Sequence, residues 1–196
     1  MVPLILASGS QTRATLLRNA GVSFSVRTAA IDERAVEAPL IARGAKPRDV
    51  AAALAEAKAL AVSRQHPGLV IGADQTLDLA GRQWSKPRSL AEAAEQSAAL
   101  AGRTHALHSA LAVARDGAIA WRHVESARLA MRPLTGAEIA AYIAEVGDAA
   151  LTSVGAYQIE GPGIRLFERI DGDHFTILGL PLLPLLAYLR AEGTIL

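Results

Sequence analysis

The stretch that decides the fold is LILASGSQTR, residues 4–13, in which an apolar run meets a small polar loop and the start of a helix. The apolar run extends over residues 2–7 and predicts a strand that is buried on both faces. Apolar residues at helical spacing predict a helix over 12–20. The loop between them is either a tight turn or a set of backbone N–H groups that bind phosphate at a helix N-terminus. Its residues are Ser8, Gly9 and Ser10.

The composition is that of a globular protein with a substantial core. Of the 196 residues, 51% are hydrophobic and 20% are charged. The formal net charge of +1 lacks the basic surplus with which proteins neutralise a nucleic acid polymer, so we expect no such partner. The chain contains no cysteine, which excludes thiolate nucleophiles and cysteine zinc sites. A reducing cytoplasm is the expected location.

Two apolar segments are too short to be a signal peptide or a transmembrane helix. The N-terminal run lacks the basic segment that precedes the apolar part of a signal peptide. Residues 177–189 fall short of the ~20 residues that span a bilayer, and they include two prolines. We therefore expect no membrane partner.

Strands and helices alternate along the rest of the chain. Strands are predicted over 24–29, 69–72, 76–79, 82–84, 105–114, 118–121, 124–132 and 165–170. Helices are predicted over 47–64, from a capping box at 89–92 to about 102, from a second capping box at 135–138 to about 146, and from 181 onward. This interleaving, with antiparallel hairpins in the middle, predicts an α/β fold in which helices flank a mixed central sheet. We expect a single domain over 1–196.

Two charged residues lie where ligands often bind. Asp74 follows the strand over 69–72, and ligand sites in open α/β sheets gather at the carboxyl ends of strands. A carboxylate there can bind a divalent cation or orient a water molecule, but an N-cap or turn aspartate is the alternative. Arg13 lies in the first turn of its helix, where a cation opposes the helix dipole unless an anion binds at the same end. A solvated surface arginine is its alternative.

Further charged residues extend this set. Asp32 and Glu33 form a second acidic pair, Lys86 precedes Pro87, and Lys58 lies in an otherwise apolar part of a helix, where a lysine often extends to water. The sequence has no HExxH, GxSxG, Walker A or GxGxxG pattern. A glycine–serine loop with an arginine, separated acids and two lysines suits metal-assisted attack of water on a phosphate chain.

Several short motifs follow one another over nearly the whole chain. They are LILASGS with Arg13 and Leu16-Leu17, Ile31-Asp32-Glu33, Leu54–Ala59, Gly72-Ala73-Asp74, Lys86-Pro87, Gly102–His105, Gly155-Ala156-Tyr157 with Glu160-Gly161, and Gly179–Leu182. In this order they resemble the motifs of the Maf family of nucleoside triphosphate pyrophosphatases.

The resemblance implies two α/β lobes around a cleft and hydrolysis of a nucleoside triphosphate to the monophosphate and pyrophosphate, with Mg²⁺ or Mn²⁺. It implies catalytic roles for Asp74, Glu33 and Lys86, and it makes the two carboxylates the metal ligands. The implied triphosphate-binding residues are Ser8, Gly9, Ser10, Arg13 and Lys58. A homodimer is also implied.

Three positions bear on the choice of base. Thr12 stands where the family usually has arginine or tryptophan. Gln75 and Glu160 resemble the branch that acts on 7-methyl-GTP, whereas the dTTP/UTP branch tends to carry Thr and Gln. The Glu160 carboxylate can accept hydrogen bonds from a guanine edge and favours a positively charged base. Thr12, however, cannot stack on the base as a tryptophan would, so the expectation is a modified or non-standard nucleotide, with 7-methyl-GTP or another purine favoured.

Two other classes of function stay open at this point. One is a nucleotide-binding regulator of cell division without turnover, although the presence of Asp74, Glu33 and both lysines counts against it, since binding alone would tolerate the loss of an acid. The other is a phosphatase or sugar-phosphate enzyme that uses the same loop.

Overall fold

A computed structural model describes residues 2–196, which form two compact units. The first unit contains the described residues up to Gln75, together with His108–Ser126 and Asp173–Leu196. The second contains Thr76–Leu107 and Ala127–Gly172. The cleft implied by the resemblance stays a prediction, as does the assignment of the whole chain to one domain.

Strands and helices alternate as the sequence predicts. The strands are β1 (Leu4–Leu6), β2 (Ser25–Val26), β3 (Leu69–Leu79), β4 (Arg82–Trp84), β5 (Thr104–Arg115), β6 (Ala118–Met131) and β7 (Phe167–Asp171). The helices are α1 (Gln11–Asn19), α2 (Glu33–Ala42), α3 (Pro47–Ser63), α4 (Leu90–Leu100), α5 (Gly136–Val146), α6 (His174–Ile177) and α7 (Leu182–Ala191). Three short 3-10 helices cover Gly147–Leu151, Val154–Ala156 and Pro162–Leu166. Within residues 2–196, none of the helices has the length and hydropathy to cross a bilayer.

The predicted mixed sheet is confirmed. Its strand order is β2-β1-β3-β5-β6-β7, with β4 paired to β3. β1 runs parallel to both β2 and β3, whereas β3–β4 and β6–β7 are antiparallel pairs. The parallel part has helices over both faces, which explains why β1 and the start of β3 are continuous apolar runs.

Side chains of β3 alternate between two different environments within the first unit. Leu69, Ile71 and Ala73 belong to a core cluster that includes residues of α1 and α7. The residues between them point to the other face. There Val70 packs with Val62 of α3, so α3 covers that face of the strand.

The contact between β3 and α3 is close because Gly72 has no side chain. A Cβ atom at Gly72 would lie 2.1 Å from the carbonyl oxygen of Ala55 and 2.6 Å from the backbone nitrogen of Ala59. Alanines on α3 continue this close packing against β5, since Ala51, Ala55 and Ala59 cluster with Ala110, Ala112 and Ala114. Small residues therefore set the distance between the helix and the sheet.

Several element boundaries differ from the predictions. The predicted strands over 69–72 and 76–79 are one strand, β3, and those over 118–121 and 124–132 are one strand, β6. Polar residues interrupt the apolar pattern of both without ending the hydrogen-bonded ladder. The strand predicted over 24–29 is reduced to the two exposed residues of β2. Neither α2 nor α6 was predicted, because α2 has no buried residue and α6 spans only four residues.

The two predicted capping boxes differ in detail. Thr135 and Glu138 form the complete reciprocal box at the start of α5. At the start of α4, Ser89 accepts from the backbone N–H of Glu92, but the Glu92 carboxylate accepts from Arg88 instead of returning to Ser89. Both helices nevertheless begin where the sequence indicates.

We predict that Gly72→Ala lowers the free energy of unfolding by about 3 kcal/mol or more, because the added methyl forces the backbone of α3 away from β3. Urea denaturation measures the change. Gly136→Ala is the matched control, since a Cβ at this first residue of α5 meets no atom within 4 Å. That control should be neutral or slightly stabilising. Equal effects of the two substitutions would contradict the proposed contact.

Candidate active site

Three of the predicted site residues form one ion cluster in the first unit. The Lys58 ammonium lies 2.5 Å from Oδ1 of Asp74 and 2.7 Å from Oε1 of Glu33. The side chains of Lys58 and Asp74 are 12% and 11% exposed, whereas that of Glu33 is 53% exposed. The ammonium thus joins a buried carboxylate to one that faces solvent, and we call these three residues the ion cluster.

Each member of the ion cluster comes from a different element. Asp74 lies inside β3 on the face that Gly72 presents to α3, and not beyond the end of the strand as the sequence suggested. Lys58 comes from α3, so it does not simply extend to water. Glu33 is the first residue of α2.

The acidic pair at 32 and 33 divides into a structural and a site residue. Asp32 is the N-cap of α2, and its Oδ1 accepts from the backbone N–H groups of Arg34 and Ala35. Such a cap satisfies amides that have no partner within the helix. Glu33 is thereby fixed as the residue that faces Lys58.

The protonation of Asp74 depends on opposing effects. Burial raises the pKa of its carboxyl above the ordinary value, and the Glu33 charge acts in the same direction. The charges of Lys58 and Arg13, and the hydrogen bond from Lys58, lower the pKa. Burial is the largest of these causes, so the carboxyl binds a proton more readily than an exposed aspartate does.

The Arg13 side chain points from α1 toward the interior of the first unit, where it makes three hydrogen bonds. Its Nε donates to the carbonyl oxygen of Gly179 at 2.9 Å, and its Nη1 donates to Ser8 Oγ at 3.2 Å and to the carbonyl oxygen of Ala73 at 3.0 Å. Burial lowers the pKa of Arg13, while the charges of Asp74 and Glu33 raise it. The solvated-surface alternative is therefore wrong for Arg13.

The serines of the Ser8–Ser10 loop have separate tasks. Ser10 is the N-cap of α1, and its Oγ accepts from the backbone N–H of Arg13. Ser8 is buried, and its Oγ accepts from the backbone N–H of Ser10 as well as from the Arg13 guanidinium. The loop therefore makes a tight turn that orients Arg13, and its predicted contact with phosphate, like that of Gly9 and the half-buried Thr12, stays a prediction.

Gln75 lies on the opposite face of β3 from Asp74. Its Nε2 lies 2.9 Å from Ser109 Oγ, 3.2 Å from the carbonyl oxygen of Thr176 and 2.9 Å from that of Ile177. Sequence reasoning missed Ser109, Thr176 and Gly179 as neighbours of the site. The sequence signal for Ser109 was a single hydroxyl among the apolar residues of β5, which indicates a buried hydrogen-bond partner.

The remaining predicted residues, Lys86 and Glu160, belong to the second unit. Lys86 is exposed in the connection between β4 and α4, where the Gln96 amide donates to the carbonyl oxygen of the preceding Ser85 at 3.0 Å. Glu160 is exposed between Gly155 and Gly163. Their predicted roles stay predictions.

A buried aromatic group supports the segment that leads to Glu160. The His105 ring lies 2.7 Å from the hydroxyl of Tyr157, and both rings contact Phe167. Burial lowers the pKa of His105 to about 4, so the imidazole is neutral near pH 7. His105 therefore supports this segment as a neutral ring that packs against Tyr157 and Phe167.

The carboxylates of the ion cluster are oxygen donors of the kind that bind a divalent cation. Among residues 2–196, no three histidine, aspartate or glutamate side chains are grouped so that they could hold a metal. Mg²⁺, however, is usually bound through one or two carboxylates together with water and substrate phosphate oxygens. Asp74 and Glu33 supply two such carboxylates around one cation, the Lys58 ammonium. This donor set fits a metal whose coordination the substrate completes.

Nearly the whole chain is similar to known proteins of one family. The family model described as Maf-like protein matches residues 3–192. A relative from Brucella abortus biovar 1 (strain 9-941), named 7-methyl-GTP pyrophosphatase, is 58% identical over 195 residues, covering 99% of this chain and 98% of the relative. A relative of the same name from Rhizobium meliloti (strain 1021) is 58% identical, with 98% and 97% covered.

A third relative carries a broader name. The protein of Bradyrhizobium diazoefficiens (strain JCM 10833 / BCRC 13528 / IAM 13628 / NBRC 14792 / USDA 110), named nucleoside triphosphate pyrophosphatase, is 57% identical over 194 residues, covering 98% of this chain and 95% of the relative. These matches extend over both units and include every residue of the ion cluster. Identity at this level over nearly full length means that this chain belongs to the Maf-like protein family.

Proposed function

We propose that this protein hydrolyses a nucleoside triphosphate to the nucleoside monophosphate and pyrophosphate. The names of its relatives support this reaction, and their similarity extends over nearly the whole chain. The observation that carries the proposal is the ion cluster, in which one ammonium joins a buried and an exposed carboxylate close to the half-buried Arg13. This arrangement combines groups for water activation with groups that stabilise phosphate charge.

In the proposed reaction, Asp74 accepts a proton from the attacking water. Lys58 binds Oδ1 of this carboxylate, and we assign the other oxygen, Oδ2, to the water. The water oxygen forms a bond to the α-phosphorus while the bond from that phosphorus to the bridging oxygen breaks. Pyrophosphate leaves with that oxygen, and the raised pKa of Asp74 makes its carboxylate a stronger base than an exposed aspartate.

Arg13 binds and orients the phosphate chain in this proposal. Its hydrogen bonds to residues 2–196 come from Nε and Nη1, so we assign the two N–H groups of Nη2 to phosphate oxygens. Since its acceptors already fix the guanidinium, it loses little freedom when substrate binds. Charge-assisted hydrogen bonds of this kind are about twice as strong as neutral ones.

Asp74 and Glu33 would hold a divalent cation, either Mg²⁺ or Mn²⁺. When bound, the cation offsets negative charge on the phosphate oxygens and favours attack at phosphorus. Glu33 is suited to exchange partners because its side chain is the most exposed of the three members of the ion cluster. Lys58 would then retain Asp74 as its buried partner.

We further propose 7-methyl-GTP, or another modified purine nucleotide, as the preferred substrate. Several relatives bear the name 7-methyl-GTP pyrophosphatase. Glu160 is an exposed carboxylate, which favours a base that carries a positive charge. A cytoplasmic location, a homodimer and a role in clearing non-standard nucleotides are further parts of this proposal.

We predict that Asp74→Asn lowers kcat about 10²–10⁴-fold, because the amide cannot accept the proton of the attacking water. The assay measures pyrophosphate released from a panel of nucleotides with Mg²⁺ or Mn²⁺. Asp32→Asn is the matched control, because asparagine is an equally good N-cap and α2 keeps its position. Pyrophosphate release that survives in Asp74→Asn would remove Asp74 from its role. Tight nucleotide binding without turnover by the wild type would instead favour the regulatory alternative, and release of phosphate without pyrophosphate would contradict the reaction class.

We predict that Lys58→Met raises the pKa of Asp74 further, because the closest positive charge is lost. A folded-state pKa above the unfolded value adds stability at low pH, and this contribution is lost as pH rises through the folded pKa. As pH rises above the ordinary carboxyl pKa of about 4, the free energy of unfolding should therefore decrease more in Lys58→Met than in the wild type. The decrease should also continue to a higher pH in the variant.

Urea denaturation at a series of pH values measures this difference. Arg122→Met is the control, since it removes the ion pair between Arg122 of β6 and Glu56, which lies on α3 as Lys58 does. The Arg122 side chain is largely exposed. That control should change the free energy of unfolding little, because exposed ion pairs are weak, and should leave its pH dependence unchanged. Parallel pH dependence of Lys58→Met and wild type would show that Lys58 does not control the protonation of Asp74.

We predict that Thr12→Trp increases kcat/KM for 7-methyl-GTP relative to unmodified GTP, because an indole ring stacks on a cationic base. Thr12 is the second residue of α1 and half-buried beside the loop that orients Arg13. The two substrates are compared by pyrophosphate release at equal metal concentration. If neither the wild type nor Thr12→Trp prefers 7-methyl-GTP, the proposed substrate is wrong while the reaction class stands.

A further inference from the structure

We propose that the hydrogen bond between His105 and Tyr157 is a positioning contact that fixes residues 153–164, and with them Glu160, in the conformation that selects the base. We call residues 153–164 the Glu160 segment. The proposal rests on the proposed function for the part that Glu160 takes in base selection. His105 and Tyr157 are both buried, so they act through the segment and not by contact with the nucleotide.

The Glu160 segment depends on its surroundings for its shape. It contains the short 3-10 helix Val154–Ala156 and the start of the next one, and residues 158–162 are exposed or half-buried. Gly155 and Ala156 have φ angles of +80° and +61°, and a residue with a side chain rarely adopts a positive φ. Such a conformation persists only where neighbouring groups fix it.

Tyr157 is the large buried side chain of the Glu160 segment. Its ring packs edge-on against Phe167, with 4.7 Å between the ring centroids, and its hydroxyl lies 2.7 Å from His105 Nε2. Ser153 Oγ donates to its carbonyl oxygen at 2.6 Å. Because Glu160 follows only three residues later, the angle of the Tyr157 ring determines where the exposed part of the segment begins.

The exposed part of the segment is a compact turn. The backbone N–H of Gly161 donates to the carbonyl oxygen of Gln158 at 3.3 Å, and that of Ile164 donates to the carbonyl oxygen of Gly161 at 3.2 Å. A Cβ at Gly163 would lie 2.5 Å from the carbonyl oxygen of Gln158. A turn packed this closely has little room to rearrange internally, so we expect it to move together with Tyr157.

The direction of the hydrogen bond follows from the partners that are present. The His105 ring is neutral near pH 7, so it carries one N–H group. Among residues 2–196, the buried Nδ1 atom of His105 has no hydrogen-bond partner. If Nε2 donated to Tyr157, the Nδ1 lone pair and the hydrogen of the phenol would both be unpaired. If the Tyr157 hydroxyl donates to Nε2, only the N–H group at Nδ1 is unpaired, and we therefore assign Tyr157 as the donor.

The unpaired Nδ1 atom indicates that this hydrogen bond does more than stabilise the fold. A buried polar atom without a partner is destabilising, and replacement of both members of a buried pair by apolar side chains can be neutral or stabilising. A hydrogen bond, however, has a preferred length and direction, whereas apolar packing allows a ring to tilt. The pair of His105 and Tyr157 therefore contributes a fixed ring angle more than it contributes stability.

The first test compares selectivity with stability. We expect Tyr157→Phe, alone or combined with His105→Leu, to lower the ratio of kcat/KM for 7-methyl-GTP to that for GTP about fivefold, the factor that corresponds to one lost hydrogen bond. The urea midpoint should fall in Tyr157→Phe, which leaves His105 Nε2 unpaired, and should recover in the combined variant. Tyr188→Phe is the matched control, because it removes a phenol oxygen from α7 in the first unit and should leave the ratio unchanged. A ratio that recovers together with the urea midpoint would overturn the proposal, because a purely structural role follows stability.

A double-mutant cycle with Glu160→Gln shows whether the effect passes through Glu160. In the Glu160→Gln background, Tyr157→Phe should leave the ratio within about twofold, because the carboxylate that Tyr157 positions is absent. An equal loss of selectivity in the wild-type and Glu160→Gln backgrounds would overturn the proposal.

Hydrogen exchange tests the structural step without substrate. The backbone N–H groups of Gly161 and Ile164 donate within the Glu160 segment, so they should exchange faster in Tyr157→Phe than in Tyr188→Phe. Unchanged exchange would overturn the proposal even if selectivity fell. Faster exchange in a protein whose base preference does not respond to Glu160→Gln, or that releases no pyrophosphate from any nucleotide, would support the fixing of the segment and refute the proposed function on which base selection rests.

Discussion

The alternation of side chains along β3 is the constraint on which the site depends. Gly72 and Asp74 point to α3, and Ala73 and Gln75 point to the opposite face. The absence of a side chain at Gly72 brings α3 close enough for Lys58 to reach Asp74 at 2.5 Å. A register shift of one residue would exchange the two faces and separate the carboxylate from its lysine. Two consecutive polar residues in a buried strand are therefore satisfied by two different sets of partners.

Burial of Arg13 follows from the same strand. A cation in the first turn of a helix opposes the helix dipole, and an unpaired buried guanidinium would be costly. Here the guanidinium donates to two backbone carbonyls and a serine hydroxyl, and two carboxylates lie near enough to favour its charge. One of those carbonyls belongs to Ala73, next to Asp74 in β3. The strand thus positions both the proposed base and the proposed phosphate ligand.

The sequence predicted the class of fold and named the three residues that the structure brings together in the ion cluster. Buried strands, caps and glycines identify the elements, and charged residues near strand ends identify Asp74 and Arg13. The residue pattern alone left Asp32 and Glu33 as a pair, and only the family resemblance singled out Glu33. Either acid can cap a helix, and the start of α2 shows that Asp32 does so. The sequence also placed Asp74 after a strand, whereas Asp74 lies inside β3. Two polar residues in a row look like the end of a buried strand when the residues that pair with them are distant in the sequence.

What the sequence could not supply was the set of long-range hydrogen bonds. Gln75 meets Thr176 across 101 positions, and Arg13 meets Gly179 across 166. Local sequence patterns do not predict such pairs. Every residue has a backbone carbonyl, so the residue type does not show which carbonyl accepts the hydrogen bond. The signal that remains is indirect: a polar residue such as Ser109 inside an apolar strand must find a partner, since an unsatisfied buried hydroxyl destabilises the fold.

The charges of the first unit explain why substrate and metal would bind together. Without ligand, the two cations Arg13 and Lys58 are balanced by the two carboxylates of Asp74 and Glu33. A triphosphate that bound alone would add several negative charges beside carboxylates that already face each other across one ammonium. A divalent cation that accompanied the triphosphate would offset that excess and would give Glu33 a partner other than Lys58. The ammonium would then remain with Asp74, where its charge favours the ionised carboxylate that the proposed reaction requires.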